Sequence, residues 1–161
     1  MKKVALFGAG RIGRIHAANL AAMPGIELTA VSDPMAANAA SLAQEHGARV
    51  DSVEAIFADK SIDAVVIGSP TTTHSDLITR AAAAGKHIFC EKPVDLSVPR
   101  AEAVAQAVAA AGVGCMIGFQ RRYDLGAAGE WDEPHRAVYR RIAAIAQGRG
   151  LYLRLGWEVN E

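Results

Sequence analysis

Short apolar runs rich in β-branched residues alternate with alanine-rich stretches of helical period from the first residue to about Gly118. Unbroken apolar runs of this length read as strands buried on both faces, and the helical stretches between them read as crossovers. Together they specify repeated βαβ units around a parallel sheet, an α/β fold of the doubly wound class. Strands are predicted over residues 3–7, 27–32, 64–67, 87–90 and 114–117, with a short one at 49–50, and helices fill the gaps. The helix after Gly13 carries Ile15, Ala18, Asn19 and Ala22 on helical spacing and stops at the breaker pair Pro24-Gly25. The next runs over 35–46 and closes with Gly47. Two more, near 75–84 and 97–111, end at Gly85 and Gly112, where glycine accommodates the left-handed residue that commonly follows a helix.

The texture changes after Asp124. Residues 125–134 are rich in Gly, Asp and Glu, 135–147 could form a basic helix, and 151–159 could form a strand. A chain of 161 residues with 51% hydrophobic content holds one well-buried domain and little more. Residues 1–120 are therefore expected to form the domain, and 121–161 a short C-terminal appendage.

Charge narrows the partners. Lys plus Arg and Asp plus Glu each number 17, so the formal net charge is zero and no long-range field recruits nucleic acid or an anionic membrane. The start at residues 1–7 resembles that of a signal peptide, but its apolar run ends at Gly8 and moves into a glycine loop with no cleavage-type site, and no apolar stretch reaches membrane-spanning length. A soluble, cytoplasmic protein is expected. Cys90 and Cys115 each lie in an apolar run that reads as a buried strand and lack the close spacing of a metal or redox pair, so they read as reduced core residues and no metal site is expected.

The loop Gly8-Ala9-Gly10-Arg11-Ile12-Gly13 follows a predicted strand directly and opens a predicted helix, the context that gives a glycine pattern meaning. Gly8 would permit the tight turn, Gly10 would let the backbone approach a pyrophosphate, and Gly13 would allow the helix to pack closely. The helix N-terminus adds free N–H donors and a partial positive charge. Asp33 lies twenty positions beyond Gly13 at the end of the second strand, where a carboxylate can accept both ribose hydroxyls of an adenosine. It would repel a 2′-phosphate, and Pro34-Met35 offers no arginine to receive one, so the cofactor is read as NAD rather than NADP. Asp33 could also cap the next helix. These residues define a dinucleotide-binding Rossmann domain.

Two more loops leave strand ends at the edge where open α/β sheets collect ligands. Ser69-Pro70-Thr71-Thr72-Thr73-His74 is a candidate binding loop, the alternative being a polar turn in which Thr73 caps the following helix. Glu91-Lys92-Pro93 places a cation beside the next strand end. A lysine partly desolvated there could hydrogen-bond a substrate hydroxyl and share its proton during oxidation, whereas an exposed lysine is the ordinary fate of this residue.

These motifs, with Gly118-Phe119-Gln120-Arg121-Arg122-Tyr123-Asp124, make the stretch from Val4 to about Asp124 resemble the N-terminal half of the Gfo/Idh/MocA oxidoreductases, especially the inositol 2-dehydrogenases. The resemblance implies NAD as cofactor and a polyol or sugar as substrate. It implies a place for Lys92 beside nicotinamide and substrate, for the loop ending in His74 on the same side, and for Arg122 near the site. Ser69, Thr71, His74 and Glu91 thereby join Gly8, Gly10, Arg11, Ile12, Gly13 and Asp33 as cofactor-binding candidates. Members of that family normally carry a second domain that brings an Asp and a His to the reacting hydroxyl, and Asp132 and His135 do not reproduce its Asp-x-x-x-His spacing. Residues 121–161 therefore read as a truncated or divergent remnant of that domain. Three readings remain open: an NAD-dependent polyol dehydrogenase or its cofactor half, a non-catalytic module that binds or senses a dinucleotide, and a fragment with no independent role. Self-association through the tail is compatible with the first two.

Overall fold

The computed structural model describes residues 1–118. Six strands form one parallel sheet: β1 (Lys2–Phe7), β2 (Ile26–Ser32), β3 (Arg49–Val50), β4 (Ala64–Ile67), β5 (His87–Glu91) and β6 (Cys115–Gly118). Their spatial order is β3-β2-β1-β4-β5-β6. Sequence order reverses between β1 and β4, and ligands of open α/β sheets bind outside the strand C-termini at such a switch point. Five helices connect the strands: α1 (Arg11–Ala21), α2 (Ala36–His46), α3 (Val53–Ala58), α4 (His74–Ala83) and α5 (Val98–Ala111). A single 3-10 turn, Thr71–Thr73, precedes α4.

The sheet separates two cores. On one face Val4, Leu6, Leu28, Val66 and Phe89 pack against α1 and α2 through Ala17, Leu20 and Leu42. On the other, Phe7, Val65, Ile67 and Ile88 meet Ile56 of α3, Ile78 of α4 and Val104 of α5. Both faces of β1 and β4 are filled, which is why those strands read as continuous apolar runs. Each fully buried Leu or Ile contributes roughly 1.5–3 kcal/mol.

Gly47 and Gly112 end α2 and α5 in left-handed backbone, with φ of 67° and 66°. Those boundaries were set by the cost of a Cβ in that conformation. The residues on helical spacing in α1 are not the ones it buries. Ile15 is 44% exposed and Ala18 and Ala22 face solvent, whereas Gly13, His16, Ala17 and Leu20 are buried. The helix also begins at Arg11, so Gly13 lies inside its first turn, and packing Gly13 onto the preceding loop fixes which side turns inward.

The edge opposite the site is stitched by polar contacts. Asp63, just before β4, accepts from Lys3 N and Lys2 Nζ, both at 2.8 Å. Buried Lys86 donates to the carbonyls of Asp59 and Ile62 at 2.7 and 3.1 Å, and burial pushes its pKa down. Both cysteines are buried and unlinked. Burial pushes the Cys90 thiol far up and the Cys115 thiol up to about 12. Thiolate is the reactive form, so the native chain at pH 8 should leave a thiol-specific chromogenic reagent uncoloured and release two equivalents only after denaturation. Fast labelling of native protein would contradict the packing around β5 and β6.

No helix among the described residues is long and apolar enough to cross a membrane, and none of them cluster as a metal-ligand set. Arg122 and the expected helix and strand of the tail lie outside the described residues.

Candidate dinucleotide site

Because every strand runs the same way, the loops after β1, β2, β4 and β5 leave from one edge. Residues 8–13, Asp33, 69–74 and 91–93 therefore meet there, around the gap between β1 and β4.

The glycine loop is tightly built. Gly8 has φ of 97°, a conformation that side chains rarely adopt, and its N–H donates to Ser32 O at 2.8 Å. A Cβ on Gly13 would lie 1.9 Å from Gly8 O, so α1 can approach the turn this closely only with glycine there. Gly10 is different, since a Cβ there would meet nothing within 4 Å. The open side lies at the start of α1, where Gly10 is the N-cap and makes no side-chain capping bond, and the first turn holds no acidic residue. The first N–H groups of a helix lack internal partners. Left without a capping side chain or a competing carboxylate, they suit the phosphates of a dinucleotide. Arg11 is exposed and Ile12 half-buried at the first two helical positions.

Asp33 reaches back from the end of β2. Its Oδ2 accepts from Ala9 N at 2.6 Å and its Oδ1 from Met35 N at 2.8 Å. The carboxylate thus holds the glycine loop against β2. It closes the turn before α2 but does not cap that helix, whose N-cap is Met35. Each carboxylate oxygen carries two lone pairs, so both retain acceptor capacity for ribose hydroxyls.

The loop after β4 departs from its expected detail. Thr73 makes no capping bond to α4. Its hydroxyl donates to Pro70 O at 2.7 Å and pairs with Ser69 Oγ at 2.6 Å, because the 3-10 turn has brought these atoms together. Thr71 remains half-buried at the start of that turn. His74 is 1% exposed, with Nδ1 2.7 Å from Pro93 O and Nε2 2.9 Å from Ser69 O. It ties the loop after β4 to the loop after β5. Ser75 adds a second tie, donating to Asp95 at 2.5 Å, and Asp95 also pairs with Arg100. The Ser75 hydroxyl and the Ser97 N–H, with a lesser part from Arg100, hold the Asp95 carboxyl below its usual range against the effect of burial. Lys92, between the two tied points and the end of β5, is exposed at the ligand edge.

His16 is a member of the site that the sequence reading missed. It lies on the buried face of α1, 4% exposed, with Nε2 2.9 Å from Glu91 Oε1 and its ring edge-on to Phe89. Burial works to raise the Glu91 pKa, but the His16 hydrogen bond and charge, together with the Lys92 N–H and its charge, outweigh it and hold the carboxyl below the usual range. Glu91 thus directs its side chain to α1. A histidine at helical spacing from Gly13 and Leu20 was the available signal, since a buried imidazole needs a partner.

Residues 2–119 match the model of the oxidoreductase family designated GFO_IDH_MocA, described as its NAD-binding Rossmann fold. The chain belongs to the Gfo/Idh/MocA family. The inositol 2-dehydrogenase of Rhizobium meliloti is 44% identical over 144 residues, covering 89% of this chain and 40% of the relative. The scyllo-inositol 2-dehydrogenase (NAD(+)) of Bacillus subtilis is 39% identical over 155 residues, covering 94% and 43%. Among solved structures, a scyllo-inositol dehydrogenase from Lactobacillus casei with bound NAD(H) and scyllo-inositol aligns with a TM-score of 0.73 at 30% identity, over 89% of this chain and 42% of that one. The chain therefore spans about 40% of the length of the curated relatives it matches, and what it matches is the family's NAD-binding Rossmann domain.

Proposed function

We propose that this chain forms the cofactor-binding half of an NAD-dependent polyol dehydrogenase of the inositol 2-dehydrogenase type. The observation that carries the reading is the meeting, across the β1/β4 switch point, of an uncapped α1 N-terminus, Asp33 and Lys92. The α1 N–H groups would hold the pyrophosphate, Asp33 the adenosine ribose, and the loops at 69–74 and 91–93 the nicotinamide side. Bound nicotinamide would accept a hydride from the carbinol carbon of the substrate. Lys92 would hydrogen-bond the reacting hydroxyl and share its proton as the C–H bond breaks. Arg122 would stand on the substrate side.

A domain boundary near residue 120 is part of this reading and is supported by the family match ending at residue 119. So is a cytoplasmic location, supported by two buried, unlinked thiols. The names of the relatives support a polyol substrate.

Calorimetric titration with NAD and NADP tests the cofactor, and an absorbance assay with myo-inositol tests the chemistry. We expect NAD to bind at least about tenfold more tightly than NADP, a difference of about 1.4 kcal/mol. Binding of neither would overturn the reading. NAD binding without polyol-dependent reduction would leave a cofactor module without its catalytic half, and reduction by this chain would establish a minimal dehydrogenase.

A further inference from the structure

His16 stands at the junction of the two ends of this site. It lies one turn below Gly13 on the buried face of α1, and the helix leads directly from the phosphate loop. Its ring edge meets Phe89 of β5 at a centroid distance of 5.2 Å, and a Cβ on Gly68 would lie 3.6 Å from its Cδ2. The imidazole is therefore wedged under the ends of β4 and β5. Its Nε2 reaches Glu91 Oε1 at 2.9 Å, and Glu91 is the residue before Lys92. The side-chain contact spans 75 positions of sequence and crosses from the phosphate-loop helix to the lysine turn.

We propose that His16 is a positioning residue whose bond to Glu91 braces α1 against the Lys92 turn and fixes the span between the pyrophosphate cradle and the nicotinamide side. The inference rests on the dinucleotide reading above. An extended dinucleotide must engage both ends at once, so an error in their separation is felt by NAD. ADP ends at the phosphate loop and needs only the cradle and Asp33. A histidine that merely fills the core would affect both ligands equally or neither.

The test compares NAD and ADP affinities by calorimetry in the wild-type chain, in His16→Phe and in His16→Gln. His16→Phe keeps an aromatic ring against Phe89 but has no N–H to donate. We expect it to weaken NAD by about tenfold, the loss of one hydrogen bond to a charged group, while ADP changes by less than about twofold. His16→Gln carries an amide donor that can reach the carboxylate, and it should recover most of the lost NAD affinity. Melting curves check folding, and should His16→Phe not fold, His16→Met fills the space with a flexible apolar chain and should show the same split. Equal losses for NAD and ADP, no loss for either, or no rescue by glutamine would each overturn the proposal. A wild-type chain that binds neither ligand would overturn the dinucleotide reading and this inference with it.

Discussion

Gly13→Ala should cost the chain both stability and cofactor. The added methyl carbon would sit 1.9 Å from Gly8 O and 2.8 Å from Gly8 C, distances that no rotamer change can relieve because both neighbours are backbone. Gly8 cannot retreat easily. Its N–H is bonded to Ser32 O, and its own Cα faces Gly68 and Ser69 so closely that a Cβ there would lie 2.7 Å from Ser69 N. The strain must push α1 outward. Overpacking of this kind costs roughly 2–3 kcal/mol, enough to lower the melting temperature by about 5–10 °C. Displacing the helix N-terminus by a fraction of its phosphate contact distance should weaken NAD by about 100-fold, the scale of a misplacement near 1 Å. Gly10→Ala provides the contrast. Its Cβ points into open space on the protein, so the melting temperature should hold while NAD affinity falls if, as proposed, the pyrophosphate lies against the start of α1. Wild-type NAD affinity in Gly13→Ala would sink this account of the loop.

Asp33→Asn should weaken NAD by about 10- to 100-fold, the range for a lost hydrogen bond to a charged acceptor, and narrow the preference over NADP. Two effects combine. The anionic acceptor for the ribose hydroxyls disappears, and the amide can replace only one of the two carboxylate oxygens that now receive Ala9 N and Met35 N. The glycine loop therefore loosens at the same time as the ribose loses its partner. NADP should lose less than NAD, because the substitution also removes a negative charge that repels its 2′-phosphate. An NAD to NADP affinity ratio unchanged from wild type would show that Asp33 serves the turn alone.

The fold was legible because parallel strands covered on both faces are uninterrupted apolar runs. Strands at 49–50 and 64–67 coincide with those read from the pattern, and the others differ by one residue at one or both ends. Left-handed Gly47 and Gly112 marked two helix ends for a steric reason that does not depend on tertiary context. The face of α1 was not legible. Its buried set mixes glycine, histidine, alanine and leucine, so hydrophobicity alone points to the wrong side, and contact between Gly13 and Gly8 decides the rotation. The loop members of the site could be read from their places after strands, since topology alone brings them to one edge. Their partners could not. His74 brings its two ring nitrogens within hydrogen-bond distance of the carbonyls of two loops, and His16 reaches a carboxylate on another strand. Bonds between distant segments leave no periodic trace.

The sheet also partitions the molecule's capacity to change. The phosphate-loop helix rests on one core, whereas the loops around Lys92 are moored to α4 and α5 on the other, and the two cores share no buried side chain. Substitutions within the α4–α5 layer should therefore leave the packing of α1 on its own core unchanged, and a shift of residues 91–93 reaches α1 through the bond between Glu91 and His16. A lineage could thus vary the α4–α5 side of the sheet freely only where the register held by Glu91 and His16 is kept.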